Sequence, residues 1–143
     1  MSTKAKAHVC VYLVLRKDDK VLLSQRQNTG YEDGNWGLVS GHSETSEPAM
    51  QALCREAFEE IGIKISPSDL EVIHVMHRKT EREDIDIFMH CNAWQGEITN
   101  KEPEKCGGLE FFSKDSFPKE MVGYVKRALE NIELQKVYDE VGW

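Results

Sequence analysis

Gly41 to Ile63, GHSETSEPAMQALCREAFEEIGI, is the segment that most restricts how this chain can fold. It ends in Arg55-Glu56-Ala57-Phe58-Glu59-Glu60-Ile61-Gly62-Ile63, with four ionised side chains in six positions, three of them carboxylates. Ala49, Leu53, Ala57 and Ile61 recur at helical spacing and form an apolar stripe. Ser46 reads as the helix N-cap, with Glu47 and Pro48 in the first turn and Gly62 as the stop. On such a helix Glu56, Glu59 and Glu60 point to one side, because residues three and four apart are neighbours. Like charges at that spacing repel by roughly a few tenths of a kcal/mol per pair. A divalent cation is the simplest agent to offset the repulsion. Hard ions such as Mg2+ take carboxylate oxygens and substrate phosphates together. The feature therefore points towards metal-assisted phosphate chemistry.

The rest of the chain supplies a sheet for that helix. Residues 7–17 are rich in β-branched and aromatic types, and Lys17-Asp18-Asp19-Lys20 is a turn into a second strand, Val21 to Arg26. Residues 27–35 read as a loop and Trp36 to Val39 as a short apolar segment. Residues 71–78 and 84–94 are two more strands. In the second, Asp84, Asp86 and His90 alternate with Ile85, Ile87 and Met89, the pattern of a half-buried strand. Residues 109–112 form a short strand, and a last amphipathic helix runs from about Lys119 to about Val137. Strands interleaved with two helices predict an α/β sandwich, a mixed sheet covered by helices, over one domain spanning 1–143.

A net charge of −7 is unsuited to gripping polymeric nucleic acid, which rewards basic surfaces. It is compatible with a small phosphorylated ligand that arrives with its own cations. Cys10, Cys54, Cys91 and Cys106 form no CxxC pair and match no zinc spacing, so they read as reduced thiols. No targeting run is legible, and Val9 to Leu15 is too short to cross a bilayer, so the expected location is the cytoplasm, with no membrane partner. The oligomeric state is open between monomer and homodimer.

The stretch resembles the Nudix box, G-x5-E-x7-R-E-U-x-E-E-x-G-U, in which U is a bulky aliphatic residue. Gly41, Glu47, Arg55, Glu56, Glu59, Glu60, Gly62 and Ile63 fall at its fixed positions, and only Ala57 departs, being small. Leu-Leu-Ser-Gln-Arg and Gly-Asn-Trp-Gly-Leu precede it, as in many small Nudix hydrolases of the MutT-like type. The resemblance implies a strand–loop–helix–loop module in an α/β/α sandwich. It also implies hydrolysis of a nucleoside diphosphate linked to a group X. By that likeness Glu56, Glu59 and Glu60 hold Mg2+ or Mn2+ and Arg55 orients a glutamate. Glu47 supports the loop or reaches metal through water, and the main-chain carbonyl of Ser40 is a further ligand. Small Nudix triphosphatases often carry an extra glutamate outside the box, and the matching position here is Gly108. Glu102, Glu104, Glu110, Glu81 and Glu83 are the nearby carboxylates, and the general base stays open among them.

Metals neutralise phosphate oxygens and lower the pKa of bound water, and a carboxylate can take the proton of that water. Arg26 and Arg78 are candidates for substrate phosphates, and His42, in the loop after Gly41, for approach to phosphate. Trp36 is a candidate for stacking on a base, set against a packing role. His74 and His77 lie on opposite sides of a strand and do not chelate one ion without a bulge. The leading expectation is a metal-dependent pyrophosphohydrolase of nucleoside triphosphates, giving a nucleoside monophosphate and pyrophosphate. Nucleoside diphosphate sugars, dinucleotides and dihydroneopterin triphosphate are the rival substrates. A nucleotide-sensing module without activity is the rival class.

Overall fold

The computed structural model describes residues 3–143. Eight strands form one mixed sheet. They are β1 (His8–Lys17), β2 (Lys20–Arg26), β3 (Trp36–Gly37), β4 (Val39–His42), β5 (Glu71–Lys79), β6 (Glu83–Cys91), β7 (Cys106–Ser113) and β8 (Tyr138–Val141). The helices are α1 (Ala49–Ile61) and α2 (Gly123–Glu133). The main strand order is β3-β2-β1-β6-β5-β8, with β4 added on β1 and β7 on β2. β1–β6 and β5–β8 pair in parallel, and the other pairs are antiparallel.

β1 dictates this layering. Val11, Leu13 and Leu15 face α1, packing with Leu53, Ala57 and Ile61. Cys10, Tyr12 and Val14 face α2, packing with Val125, Ala128 and Leu129. A strand apolar on both faces must be covered on both, which yields the expected α/β/α sandwich. Ala57 is fully buried in this packing, so the small side chain lets α1 lie close to the sheet. Leu53, also fully buried, contributes roughly 2 kcal/mol of burial.

β1 changes partner along its length. Its C-terminal end, Arg16 and Lys17, pairs with β2, whereas Cys10 to Leu13 pair with β4. The sheet forks there, and β4 leads directly into the loop before α1.

Several sequence expectations are corrected. Ser46 does not cap α1: its φ of 65° is left-handed, the N-cap is Pro48, and helical backbone starts at Ala49. Glu47 therefore lies in the preceding turn rather than in the helix. α2 is shorter than expected at both ends. Met121 bridges Trp36 in extended pairing, and Gln135 turns left-handed after the helix. The segment Tyr138–Val141, not expected as a strand, pairs with β5. The strand expected at 109–112 begins at Cys106, and that expected at 84–94 runs Glu83–Cys91. Asp84 and Asp86 face inward and are buried, with Ile85 and Ile87 on the less covered side.

Candidate active site

Gly41 and Glu56 define the centre of the site. A side chain at position 41 would collide with the Glu56 carboxyl group, so only glycine lets that carboxylate lie flat against β4. Gly62 ends α1 at φ 74°, its N–H donating to the Phe58 carbonyl at 3.0 Å. The chain leaving the sheet then closes over this end. Thr99 N–H donates to the Ile61 carbonyl at 2.9 Å and Lys101 N–H to the Glu60 carbonyl at 3.0 Å. Glu102 is thereby delivered beside Glu56 and Glu60.

Arg55 organises the carboxylates. It donates to both oxygens of Glu47, at 2.9 and 3.0 Å, a bidentate pair that locks the loop to the helix. Nη1 donates to Glu56 at 2.9 Å and to Glu59 at 3.3 Å, and Nη2 to the His42 carbonyl at 3.1 Å. Arg55, then the Glu44 backbone N–H, hold the Glu47 carboxyl down at about 2. The same bonds raise the Arg55 pKa further, so the guanidinium stays charged.

One arginine does not balance the group. The Glu60 Oε2 atom is buried and meets no hydrogen-bond partner among the described residues. Burial, then the charges of Glu56 and Glu102, push the Glu60 carboxyl up to about 9, and the Ser40 backbone N–H opposes this only in part. Burial also raises the Glu56 carboxyl, against the pull of Arg55. Crowded carboxylates with an orphaned buried oxygen fit a divalent cation with oxygen ligands. Glu59 sits further out, more than half exposed, so the three glutamates are graded in burial rather than equivalent.

Asp84, Asp86 and Cys10 form the tightest group of potential metal ligands among the described residues. Their chemistry argues against a cation there. Arg78 donates to Asp86 at 2.7 Å and to Asp84 at 2.9 Å, and Arg82 lies 2.9 Å from Asp84. The Cys10 thiol is pushed up to about 12 by burial and then by both aspartates, so it stays protonated.

Glu56 and Glu60, but not Glu59, open into a cavity of about 690 Å³ that Ser40, His42, Arg26, Glu102 and Lys105 also line. Of the five carboxylates left open by the sequence, Glu102 is the one that lines it. Gly108 faces the Trp36 indole, which a Cβ would approach to 3.2 Å, so a side chain there would press on the indole. Trp36 packs edge-on against Phe112 and lies outside the cavity lining. Arg26 is held by the Tyr31 carbonyl at 2.7 Å and points towards the cleft. His42 ends β4 instead of lying in a loop, and its ring meets Arg82 at 2.8 Å. Burial and Arg82 lower its pKa. Arg78 is buried with its charge already taken up by two aspartates, so it does not offer a free cation to phosphate. His74 is fully buried and His77 contacts Glu83 and Trp143. The irregularity between Val72 and His74 does not bring them together. The sequence reading missed Asp84 and Asp86, which alternation with isoleucine disguises as solvent-facing. Their one clue is Arg78, the cross-strand partner of Asp84.

Residues 4–132 match the family model of the NUDIX domain. An 8-oxo-dGTP diphosphatase of Proteus vulgaris is 31% identical over 71% of this chain and 90% of its own length. A CTP pyrophosphohydrolase of Escherichia coli is 32% identical over 59% of this chain and 58% of its own length. The crystal structure of a MutT NUDIX hydrolase from Burkholderia pseudomallei superposes with a TM-score of 0.80 and 26% identity, covering 87% of this chain and 97% of that one. Fold, glutamate cradle and these likenesses converge: the chain belongs to the NUDIX family of hydrolases.

Proposed function

We propose that the protein hydrolyses the pyrophosphate bond of a nucleoside triphosphate, or of another nucleoside diphosphate-X compound, with Mg2+ or Mn2+. The products are a nucleoside monophosphate and pyrophosphate, or a phosphorylated X. The observation that carries this reading is the orphaned carboxylate oxygen of Glu60, which feels the charges of Glu56 and Glu102 in a cleft that Arg26 also lines. Similarity to a diphosphatase and a pyrophosphohydrolase of nucleotides supports the same chemistry.

Glu56, Glu59, Glu60 and the Ser40 carbonyl would hold the metal, with Glu47 acting through Arg55 or through water. The bound cation would neutralise phosphate charge and acidify water. Glu102, which lines the same cleft, would receive the proton when water oxygen bonds to phosphorus and the bridging P–O bond breaks. The bridging oxygen leaves on the departing phosphate. Arg26 and Lys105 line the same cleft as Glu56, Glu60 and Glu102 and attract the phosphate chain. Arg55 keeps Glu56 and Glu59 aimed by holding both at once.

The test is turnover of a mixed nucleotide panel with Mg2+, with products identified and the reaction run in oxygen-18 water to mark the attacked phosphorus. Glu59→Gln and Glu60→Gln should lose orders of magnitude in kcat with the fold intact. Near-wild-type turnover in either variant refutes the assignment. Tight binding of one nucleotide without turnover of any would favour a sensor instead.

A further inference from the structure

A second lobe of about 560 Å³ opens beside the glutamate cavity, the two sharing Arg26 and the stretch Ser40 to His42. Its deep wall is a polar network on β1, β5, β6 and α2. Arg78 binds Asp84 and Asp86, and its guanidinium lies 3.7 Å from the centre of the Tyr124 ring. Tyr12 donates to Asp86 Oδ1 at 3.0 Å, so both oxygens of Asp86 are in use. Asp84 Oδ2 is also in use, accepting from Arg78.

Asp84 Oδ1 differs. It is buried, yet among the described residues no hydrogen bond of acceptable direction reaches it. Its neighbours are Arg82 Nε at 2.9 Å and His8 Nδ1 at 3.7 Å, both on side chains about half exposed. Arg82 comes from the loop between β5 and β6 and is tethered outward to His42. A buried acceptor whose nearest cover is an exposed arginine is open to a ligand that moves the arginine aside. Tyr31 and Tyr124 also line the lobe, and Arg26 lies 5.4 Å from the Tyr31 ring centre. Aromatic walls select a flat ring, and a carboxylate flanked by guanidiniums offers acceptors only. An exocyclic amine projects further from a base than a ring N–H and so reaches this recessed oxygen.

Resting on the hydrolase reading above, we infer that this lobe takes the nucleobase and that Asp84 Oδ1 accepts a hydrogen bond from its exocyclic amino group. Asp84 is then a specificity-determining residue, and amino-bearing bases are preferred over their carbonyl or unsubstituted counterparts.

The experiment compares kcat/KM for CTP against UTP and for GTP against ITP. Wild-type protein should favour the amino-bearing member of each pair by about tenfold or more. In Asp84→Asn, Arg78 keeps the amide oxygen on its own side because it can only donate, so the amide nitrogen takes the place of Oδ1. The CTP-to-UTP preference should then invert. A purely structural role would lower both members by the same factor, and that result overturns the inference. Arg82→Ala, on an exposed loop, guards against misfolding of the first variant. Uncovering Oδ1 should raise the CTP-to-UTP ratio above wild type, and an unchanged or lower ratio overturns the inference. Turnover without base preference removes this inference alone. Absence of turnover on every nucleotide removes the hydrolase reading as well.

Discussion

Glu56 lies against the backbone of Gly41 so closely that the glycine has no room for a methyl group on that side. Gly41→Ala must push Glu56 away, and a misplacement of about 1 Å at a catalytic group costs on the order of 100-fold in rate. We expect that loss in kcat, with an unchanged far-ultraviolet circular dichroism spectrum.

Glu102 is singled out by its place beside Glu56 and Glu60. Glu102→Gln should lower kcat by about 10²–10⁴-fold, the range for removing a general base. Single replacements of Glu81, Glu83, Glu104 and Glu110 should stay within a few-fold of wild type. Steady-state kinetics on the five variants checks this.

Arg55 grips Glu47 with two parallel hydrogen bonds while touching Glu56 and Glu59. A lysine keeps the charge but loses the planar fork. Arg55→Lys should therefore cut kcat by about tenfold or more, while the melting temperature changes little because the group lies at the surface of the cleft.

Glu60 links stability to pH. Its carboxyl stands at about 9 in the folded chain against an ordinary value of 4.5. Between those values the folded state holds a proton that the unfolded state has released, so stability falls as pH rises through this window. With chelator present, the melting temperature should decline from pH 5 to pH 9. The slope should flatten in Glu60→Gln. On the metal-binding role proposed for Glu60, a divalent ion would take the place of the proton, so Mg2+ should stabilise more strongly towards pH 9, with protons released on binding.

Asp139 works in the opposite sense. Arg127, then Asn131 and the Glu140 backbone N–H, hold its carboxyl well below the usual range. Its contribution is complete above the ordinary value of 3.8 and is lost as pH falls below it. Asp139→Asn should lower the melting temperature at pH 7 by several degrees and weaken the acid dependence below pH 4.

Legibility in the sequence followed the range of the interactions involved. The apolar stripe of α1 and the glycine stop are local, and each is found where the pattern puts it. β8 was not legible because only Asp139 of its four residues is buried, leaving no apolar alternation to read. The helical period also runs on through Leu134 and Val137, while a left-handed Gln135 breaks the helix without a glycine to announce it. Ser46 has the chemistry of a cap but a backbone angle that forbids the role. Asp84 and Asp86 are buried only because Arg78 comes from the neighbouring strand to meet them, a pairing visible once β5 and β6 are in register. Arg78 itself looked like a phosphate ligand for want of that partner.

The fork in β1 has a consequence for how such a protein can change over generations. One tine, β4, carries Ser40 and Gly41 straight into α1, so the cradle for metal is tied to the best-packed part of the chain. Tyr31 and Arg82 hang on two separate loops that the strand pairings leave outside the sheet. Those loops can be reshaped at little cost to the cradle. Selection can therefore revise what the enzyme accepts while the bond it breaks stays the same.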